Sequence, residues 1–235
     1  MGNTSIRSLA LTACFAFIFG FGGAAIFSWA GMGHAQTKAY LLENPEILPE
    51  MVANYERQEA RKRLADVAGD VSAPFPGAVL GNPQGSVTLV EFTDYGCGYC
   101  RMSTQHVQEL IAKNPELRVV VREWPIFEGS DRAAKMALAA AKQGKFDAFH
   151  IAMFAQGPPS QANILAAAGA AGLDLALAEE FINSPEAGFE LSKNTAFAQQ
   201  LGFSGTPSWV VGDSTFEGAV GVAKLQEAID AASAS

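Results

Sequence analysis

Two cysteines separated by two residues, Cys97 and Cys100, lie where an apolar strand-like segment meets a helical one. Residues 86–92 form a short β-branched run bounded by turn-forming residues, which predicts a strand. Residues 97–113 carry apolar side chains at helical spacing, and residues 117–124 predict a second strand. Strand, helix and strand within about forty residues predict a βαβ unit, so we expect an α/β protein.

The segments on either side extend this layout. Residues 73–77, Ala-Pro-Phe-Pro-Gly, predict a linker or turn before the first strand. Residues from 130 to about 200 are rich in alanine, with breaks at glycine and proline, and predict a block of helices. Residues 208–211 and 215–217 predict a hairpin, and residues 222–232 predict a closing helix.

The position of Cys97 at the start of a helix favours redox chemistry. The unpaired N–H groups and the macrodipole at a helix N-terminus stabilise a thiolate. Cys100 would lie one turn further along on the same side, close enough to form a disulfide with Cys97. We therefore predict that Cys97 attacks or is attacked, and that Cys100 resolves the mixed disulfide.

Other uses of the cysteine pair have less support. A c-type haem site requires His directly after the second cysteine, and Arg101 stands there. A four-cysteine zinc site requires a second pair, but the third cysteine, Cys14, lies in the N-terminal apolar run. His106 and His150 lack the spacing of metal ligands, and a structural disulfide across so short a loop stabilises little. We predict neither a metal nor a cofactor.

The N-terminus predicts export. Arg7 is followed by an uncharged apolar run and then by Gly33-His34-Ala35, a small-x-small sequence suited to signal cleavage. Residues 1–35 are therefore predicted to be a signal peptide, although the apolar run is also long enough for an uncleaved membrane anchor. Either outcome places the rest of the chain in the periplasm, where disulfides persist. The formal net charge of −8 argues against a nucleic-acid partner.

Residues 36–72 form a charge-rich segment with helical spacing. Pro45 and Pro49 suit the first turns of helices, so two short helical pieces are predicted. A narrow apolar stripe on this segment fits a helix packed on its own domain, and it also fits an arm that joins several copies of the chain. The pattern alone leaves both interpretations open. The stripe comprises Ile47, Leu48, Met51, Val52 and Tyr55.

Two residues outside the cysteine pair are candidates for the same site. Glu91 lies six residues before Cys97 on the predicted strand, where partial burial would let it exchange a proton with Cys100. Taken alone, the residue fits an edge-facing Glu slightly better. Pro207 precedes the strand at residues 208–211, and a proline at the start of a strand has no special meaning by itself.

Three motifs, in this order along the chain, resemble the DsbA-like family of thioredoxin-fold proteins. They are Glu-Phe-Thr-Asp-Tyr-Gly-Cys-Gly-Tyr-Cys at 91–100, Arg-Glu-Trp-Pro-Ile at 122–126 and Gly-Phe-Ser-Gly-Thr-Pro at 202–207. The resemblance implies a thioredoxin fold over residues 73–235 with a helical domain inserted at about 130–200. It also implies that Glu91 is the buried acid, that Pro207 is a cis-proline facing the cysteines, and that the backbone of Thr206 binds substrate.

Two further resemblances concern the direction of the reaction and the arm. Gly98 and Tyr99 replace the Pro-His of strongly oxidising family members, and we expect both to contact substrate. The Cys-Gly-Tyr-Cys sequence, with Thr206 before the proline, is more similar to disulfide isomerases of the DsbC type. Residues 40–46 resemble the N-terminal arm of oligomeric members of the suppressor-of-copper-sensitivity C type, which implies a homo-oligomer.

Together these observations predict an exported thiol–disulfide oxidoreductase that forms or isomerises disulfides in other exported proteins. Its expected partners are those substrates and a membrane redox protein that reduces or reoxidises the cysteine pair. The alternative is a periplasmic protein that binds Cu(I) or a partner through the same two thiolates without turnover.

Overall fold

The computed structural model describes residues 6–29 and 32–234. The chain divides into two compact units, residues 1–55 and 56–235. Residues 1–5, 30 and 31 of the predicted targeting segment lie outside the described residues. Within the described ranges, no helix combines the length and the apolar character needed to cross a membrane.

The first unit is helical. The side-chain amide of Asn44 donates a 2.7 Å hydrogen bond to the carbonyl of Tyr40 at the end of its second helix. Pro45 then opens a 3₁₀ turn, and Pro49 is the second residue of the next helix, in the first-turn positions predicted for both. The elements are α1 Ile6–Trp29, α2 Met32–Glu43, the 3₁₀ turn Pro45–Ile47 and the first part of α3 Leu48–Ala65.

The C-terminal part of α3 and the short helix α4, Ala68–Ser72, belong to the second unit. Leu64, Val67 and Val71 are buried in an apolar cluster with Phe92 of the sheet. Residues 56–72, the last part of the segment expected to form an arm, are therefore packed into the second unit.

A five-stranded sheet lies at the centre of the second unit, in the order β1-β3-β2-β4-β5. Strands β2 and β3 are parallel, and the other three pairs are antiparallel. The predicted βαβ unit and hairpin are present, whereas β1 was not predicted because three residues are too short to show a period. The strands are β1 Val79–Gly81, β2 Val87–Thr93, β3 Leu117–Glu123, β4 Ser208–Val211 and β5 Ser214–Glu217.

The predicted block of helices lies between β3 and β4. The helices of this block are α6 Ser130–Lys142, α7 Phe146–Gln156, α8 Gln161–Ala170, α9 Leu175–Ile182 and α10 Pro185–Leu201. Helices α8, α9 and α10 begin at polar caps: the Ser160 hydroxyl accepts from the backbone N–H of Asn163 at 3.1 Å, and Asp174 and Ser184 act in the same way. Outside the block, α5 Gly98–Lys113 connects β2 to β3, and α11 Gly221–Ser233 follows β5.

The two faces of the sheet are covered by different clusters. Leu89 belongs to the larger cluster, which includes side chains of α5 to α9 and α11. Val90 and Phe92, which point the opposite way along β2, belong to the smaller cluster with α4 and α10. Glu91 and Thr93 follow the parity of Leu89, so they lie on the face that carries α5.

Arg122 on β3 is a buried cation on the α10 side of the sheet. Its guanidinium donates to Glu190 and Asn194 of α10, both at 3.1 Å. It also donates to the carbonyls of Asp70 and Val71 in α4 and of Ala73 directly after it. This single side chain therefore joins the sheet, the segment before β1 and α10.

Candidate active site

Cys97 caps helix α5. Its sulfur accepts a hydrogen bond from the backbone N–H of Cys100 at 3.4 Å, and its thiol donates to the carbonyl of Thr206 at 3.2 Å. A thiolate at this atom would keep the N–H donor and the favourable end of the helix dipole. The predicted helix-opening position of Cys97 is therefore present, and both cysteines carry free thiols.

Cys100 lies on the buried face of α5, together with Ser103, Val107 and Leu110. Burial raises the pKa of the Cys100 thiol well above its usual range, and the charge of Glu91 raises it further. Cys100 therefore stays protonated at neutral pH until a nearby base accepts its proton.

Glu91 lies on a central strand and not at an edge of the sheet. It is paired in register with Trp209 of β4 and Val121 of β3, and only 1% of it is exposed. Burial raises the pKa of Glu91 to about 8. The interpretation as an edge-facing residue is thus wrong, and a proton-exchanging role at Cys100 stays a prediction that this environment supports.

The Thr206–Pro207 peptide bond is cis. It leads into β4, and the carbonyl of Pro207 accepts a 2.7 Å hydrogen bond from the N–H of Gly218. Because the Thr206 carbonyl also meets the sulfur of Cys97, the structure brings this peptide to the cysteine pair, as the resemblance implies.

The predicted substrate contacts at Gly98 and Tyr99 are exposed, with 64% of Tyr99 accessible.

Asp94 organises the loops around the cysteines, and the sequence analysis missed it. Its carboxylate accepts hydrogen bonds from the backbone N–H groups of Gly96 and Ile126, both at 2.6 Å, and of Phe127 at 2.8 Å. A Cβ on Gly96 would lie 2.8 Å from the Ser130 hydroxyl, so a larger residue there would displace the loop. An Asp directly after a strand and two residues before a glycine was the available signal.

A buried polar chain lies beside this loop and was also missed. The Tyr95 hydroxyl is 3.0 Å from Oε1 of Glu123 and 3.0 Å from Nδ1 of His150. All three side chains are almost fully buried. His150, considered above as a metal ligand, is therefore a partner of Tyr95, and no group of three or more His, Cys, Asp or Glu suited to a metal occurs among the described residues.

Comparison with known proteins agrees with this geometry. The family model of the DsbA-like thioredoxin domain matches residues 88–230, which is more than half of the chain. The chain belongs to the DsbA-like thioredoxin domain family. A second model, of the N-terminal domain of copper resistance protein ScsC, matches residues 35–62.

Solved structures show the same fold. A thioredoxin-like oxidoreductase from Silicibacter pomeroyi DSS-3 is 45% identical, with 67% of this chain and 92% of that chain covered and a TM-score of 0.64. The thiol–disulfide exchange protein alpha-DsbA2 from Wolbachia pipientis is 26% identical, covers 74% of this chain and 96% of that chain, and has a TM-score of 0.67. The predicted thioredoxin fold preceded by N-terminal helices is confirmed.

Curated relatives carry this similarity in a longer chain. The Na(+)/H(+) antiporter NhaA 3 of Salinispora tropica is 30% identical over 161 residues, which are 67% of this chain and 25% of the antiporter. The DsbA-like protein described here spans about a quarter of the length of the curated relatives it matches.

The raised pKa of Glu91 predicts how stability depends on pH in the reduced protein. Between the usual carboxyl pKa of 4.5 and about 8, the folded state holds a proton that the unfolded state releases. Stability therefore falls as pH rises through this window, by up to about 1.4 kcal/mol per pH unit. Glu91→Gln removes this contribution, so we expect its advantage over the wild type in urea unfolding to grow from pH 5 to pH 8.

The control is Glu109→Gln, which removes an exposed carboxylate paired with Lys113 at 2.6 Å. The pKa of Glu109 is lowered by that ion pair, so it does not titrate above pH 5. If the unfolding free energies of wild type and Glu91→Gln stay parallel from pH 5 to pH 8, Glu91 does not carry the buried proton.

Proposed function

We propose that this protein is an exported enzyme that forms or isomerises disulfides in other exported proteins. One observation carries the proposal. The sulfur of Cys97 lies between the N–H of Cys100 and the carbonyl of Thr206, at the N-terminus of α5 and on the face of the sheet that holds Glu91.

The residues account for a complete exchange reaction. The Cys97 thiolate attacks one sulfur of a substrate disulfide, forming a mixed disulfide and releasing the other substrate sulfur as a thiolate. Cys100 then gives its proton to the Glu91 carboxylate and attacks the Cys97 sulfur. The second substrate sulfur leaves as a thiolate, so two electrons have passed from the two cysteines to the substrate. The reverse sequence forms a substrate disulfide.

Isomerisation uses only the first half of this sequence. A second cysteine of the substrate attacks the mixed disulfide and expels the Cys97 thiolate, with no net transfer of electrons. A membrane redox partner would decide between the directions by keeping the pair reduced or oxidised. The predicted signal segment at residues 1–35 supports a periplasmic location, where substrates with cysteines are oxidised.

We further propose that the N-terminal arm joins several copies of the chain. Tyr40, Leu42, Leu48, Met51 and Tyr55 are exposed, each by 45% or more. Leu41, Leu42, Leu48 and Met51 also line an apolar groove within the first unit. Exposed apolar area of this kind on a polar helix is stabilised by a partner, and the similarity of residues 35–62 to the ScsC N-terminal domain supports a second copy as that partner.

One experiment tests the activity and the arm together. The full chain, kept reduced by a thiol buffer, should restore activity to a scrambled multi-disulfide protein, and sedimentation equilibrium should show an oligomer. Met51→Lys should yield monomers that still reduce a small disulfide but lose most of the isomerisation. The control is Leu177→Lys on α9, where the replaced side chain is 57% exposed, and it should change neither property.

The outcomes separate the proposals. If the wild-type chain is a monomer, the proposal that the arm joins several copies is wrong. If the wild-type chain shows no thiol–disulfide turnover, the proposed enzymatic activity is wrong. Stoichiometric Cu(I) binding without any turnover would favour the alternative of a copper-binding protein.

A further inference from the structure

Glu123 is a second buried carboxylic acid on the same face of the sheet as Glu91. In the parallel pair of β2 and β3, Glu91 is opposite Val121 and Thr93 is opposite Glu123. Glu91 and Glu123 are therefore diagonal neighbours, a separation that long side chains bridge. Both are buried, at 1% and 0% exposure.

Each of these carboxyl groups has one oxygen that lacks a partner. Oε2 of Glu91 and Oε2 of Glu123 are buried and find no hydrogen bond within residues 6–29 and 32–234. Oε1 of Glu123 is already occupied by the Tyr95 hydroxyl. A buried carboxylate oxygen without a donor is costly, so two such oxygens on neighbouring positions point to a proton held between them.

Among the described residues, no cation is one of the groups that shift the pKa of Glu91 or Glu123. Burial lowers the pKa of His150 to about 3, so its ring is neutral. Arg122 lies on the other face of the sheet and is paired with Glu190. Burial raises the pKa of Glu123 well above its usual range, the hydrogen bond from Tyr95 opposes this in part, and the charges of Asp94 and Glu91 raise the pKa further. The titratable groups that act on Glu123 are Glu91 on β2 and Asp94 and Tyr95 after it. His150 on α7 contacts Tyr95, and β1 contributes no titratable group.

We propose that Glu91 and Glu123 form a carboxyl pair that shares one proton, and that this pair, rather than Glu91 alone, receives the proton of Cys100. This inference rests on the proposed function and deepens it. Glu123 keeps its proton and donates it to the Glu91 carboxylate, which stabilises that carboxylate beside the cysteine. Glu123 is therefore a positioning residue, because it acts on Cys100 through Glu91.

The proton balance of the resolving step follows. The step starts from the form in which the pair holds one proton and Cys100 holds another, and this form becomes more populated as pH rises toward about 8. Cys100 gives its proton to Glu91, so the pair is neutral and the Cys100 thiolate attacks the Cys97 sulfur of the mixed disulfide. The substrate sulfur leaves with the electron pair of the broken S–S bond, and the pair then returns one proton to that thiolate or to water.

The test measures the resolving step directly. A mixed disulfide between Cys97 and a small chromogenic thiol is prepared in the full chain, and release of the thiol is followed by stopped flow from pH 5 to pH 9. Glu123→Met removes the donor to Glu91, so the acid limb of the pH–rate profile, where the rate falls as pH is lowered, should shift to higher pH by about one unit. Release of the thiol at pH 7 should then be about tenfold slower. Glu123→Gln retains an N–H donor and should restore most of the loss.

A second variant separates this role from general packing. Tyr95→Phe keeps the aromatic ring against Phe149 and Phe154 but removes the hydroxyl that binds Glu123. In Tyr95→Phe, the acid limb of the pH–rate profile should stay within a few tenths of a pH unit of its wild-type position. Since the pair titrates as a unit, the apparent pKa of the limb belongs to both carboxyls.

Several outcomes would overturn the inference. An acid limb that shifts to lower pH in Glu123→Met or Glu123→Gln would show that Glu123 is a charged neighbour repelling Glu91. An unchanged limb in Glu123→Met would show that Glu91 acts alone. Failure of the proposed function is distinguishable, because in that case the wild-type mixed disulfide would release no thiol at any pH.

Discussion

Replacing Cys97 by serine is expected to abolish thiol–disulfide exchange, because the hydroxyl is not ionised at the helix N-terminus and cannot form the mixed disulfide. Turnover of a small disulfide should fall to the uncatalysed rate. Replacing Cys100 by serine should have a different effect: Cys97 still attacks, but the resolving thiol is missing. Mixed disulfides with substrate proteins should then accumulate and be visible as reducible adducts on a non-reducing gel.

Cys14→Ser is the matched control, because Cys14 is an exposed free thiol in α1 and lies in the predicted targeting segment. It should change neither turnover nor adduct formation. If Cys97→Ser retains turnover, or if adducts form equally with Cys97→Ser and Cys100→Ser, the assignment of nucleophile and resolver is wrong.

Arg122→Met is expected to destabilise the folded protein by about 3–5 kcal/mol, because it removes one member of a buried ion pair. The side chain is fully buried, and the change leaves Glu190 and the carbonyls of Asp70, Val71 and Ala73 without their donor. Lys193, which contacts the other oxygen of Glu190 at 2.5 Å, compensates only part of that charge. The midpoint of urea unfolding should fall with little change in the slope.

Lys113→Met is the control for this prediction. Lys113 forms an ion pair with Glu109 one turn earlier on α5, with both side chains about half exposed. Such pairs contribute about 0.3–0.5 kcal/mol, so the midpoint should barely move. A loss of less than about 1 kcal/mol in Arg122→Met would mean that the packing around β3 and α10 adjusts without the guanidinium.

Much of the fold followed from local patterns. The strands at 87–93 and 117–123 and the helix at 98–113 lie within a residue of their predicted positions, because each has a clear period and a clear boundary. The break at Ser184-Pro185 is a helix cap in the structure, as its residue types indicate. The strand β1 was not visible, since its three residues are held by pairing with β3 and not by their own propensity.

The candidate site divides in the same way. The sequence by itself determined that Cys97 opens a helix after a strand, since strand, turn and helix are local in the chain. Only the tertiary structure decided that Glu91 is buried, because burial depends on strands β3 and β4, which come 26 and more residues later. The contact of Thr206 with Cys97 spans 109 positions along the chain, and the Tyr95–Glu123–His150 chain joins a loop, a strand and a helix. Such contacts arise when the sheet and the inserted helices pack together, so no periodicity or spacing in the sequence records them.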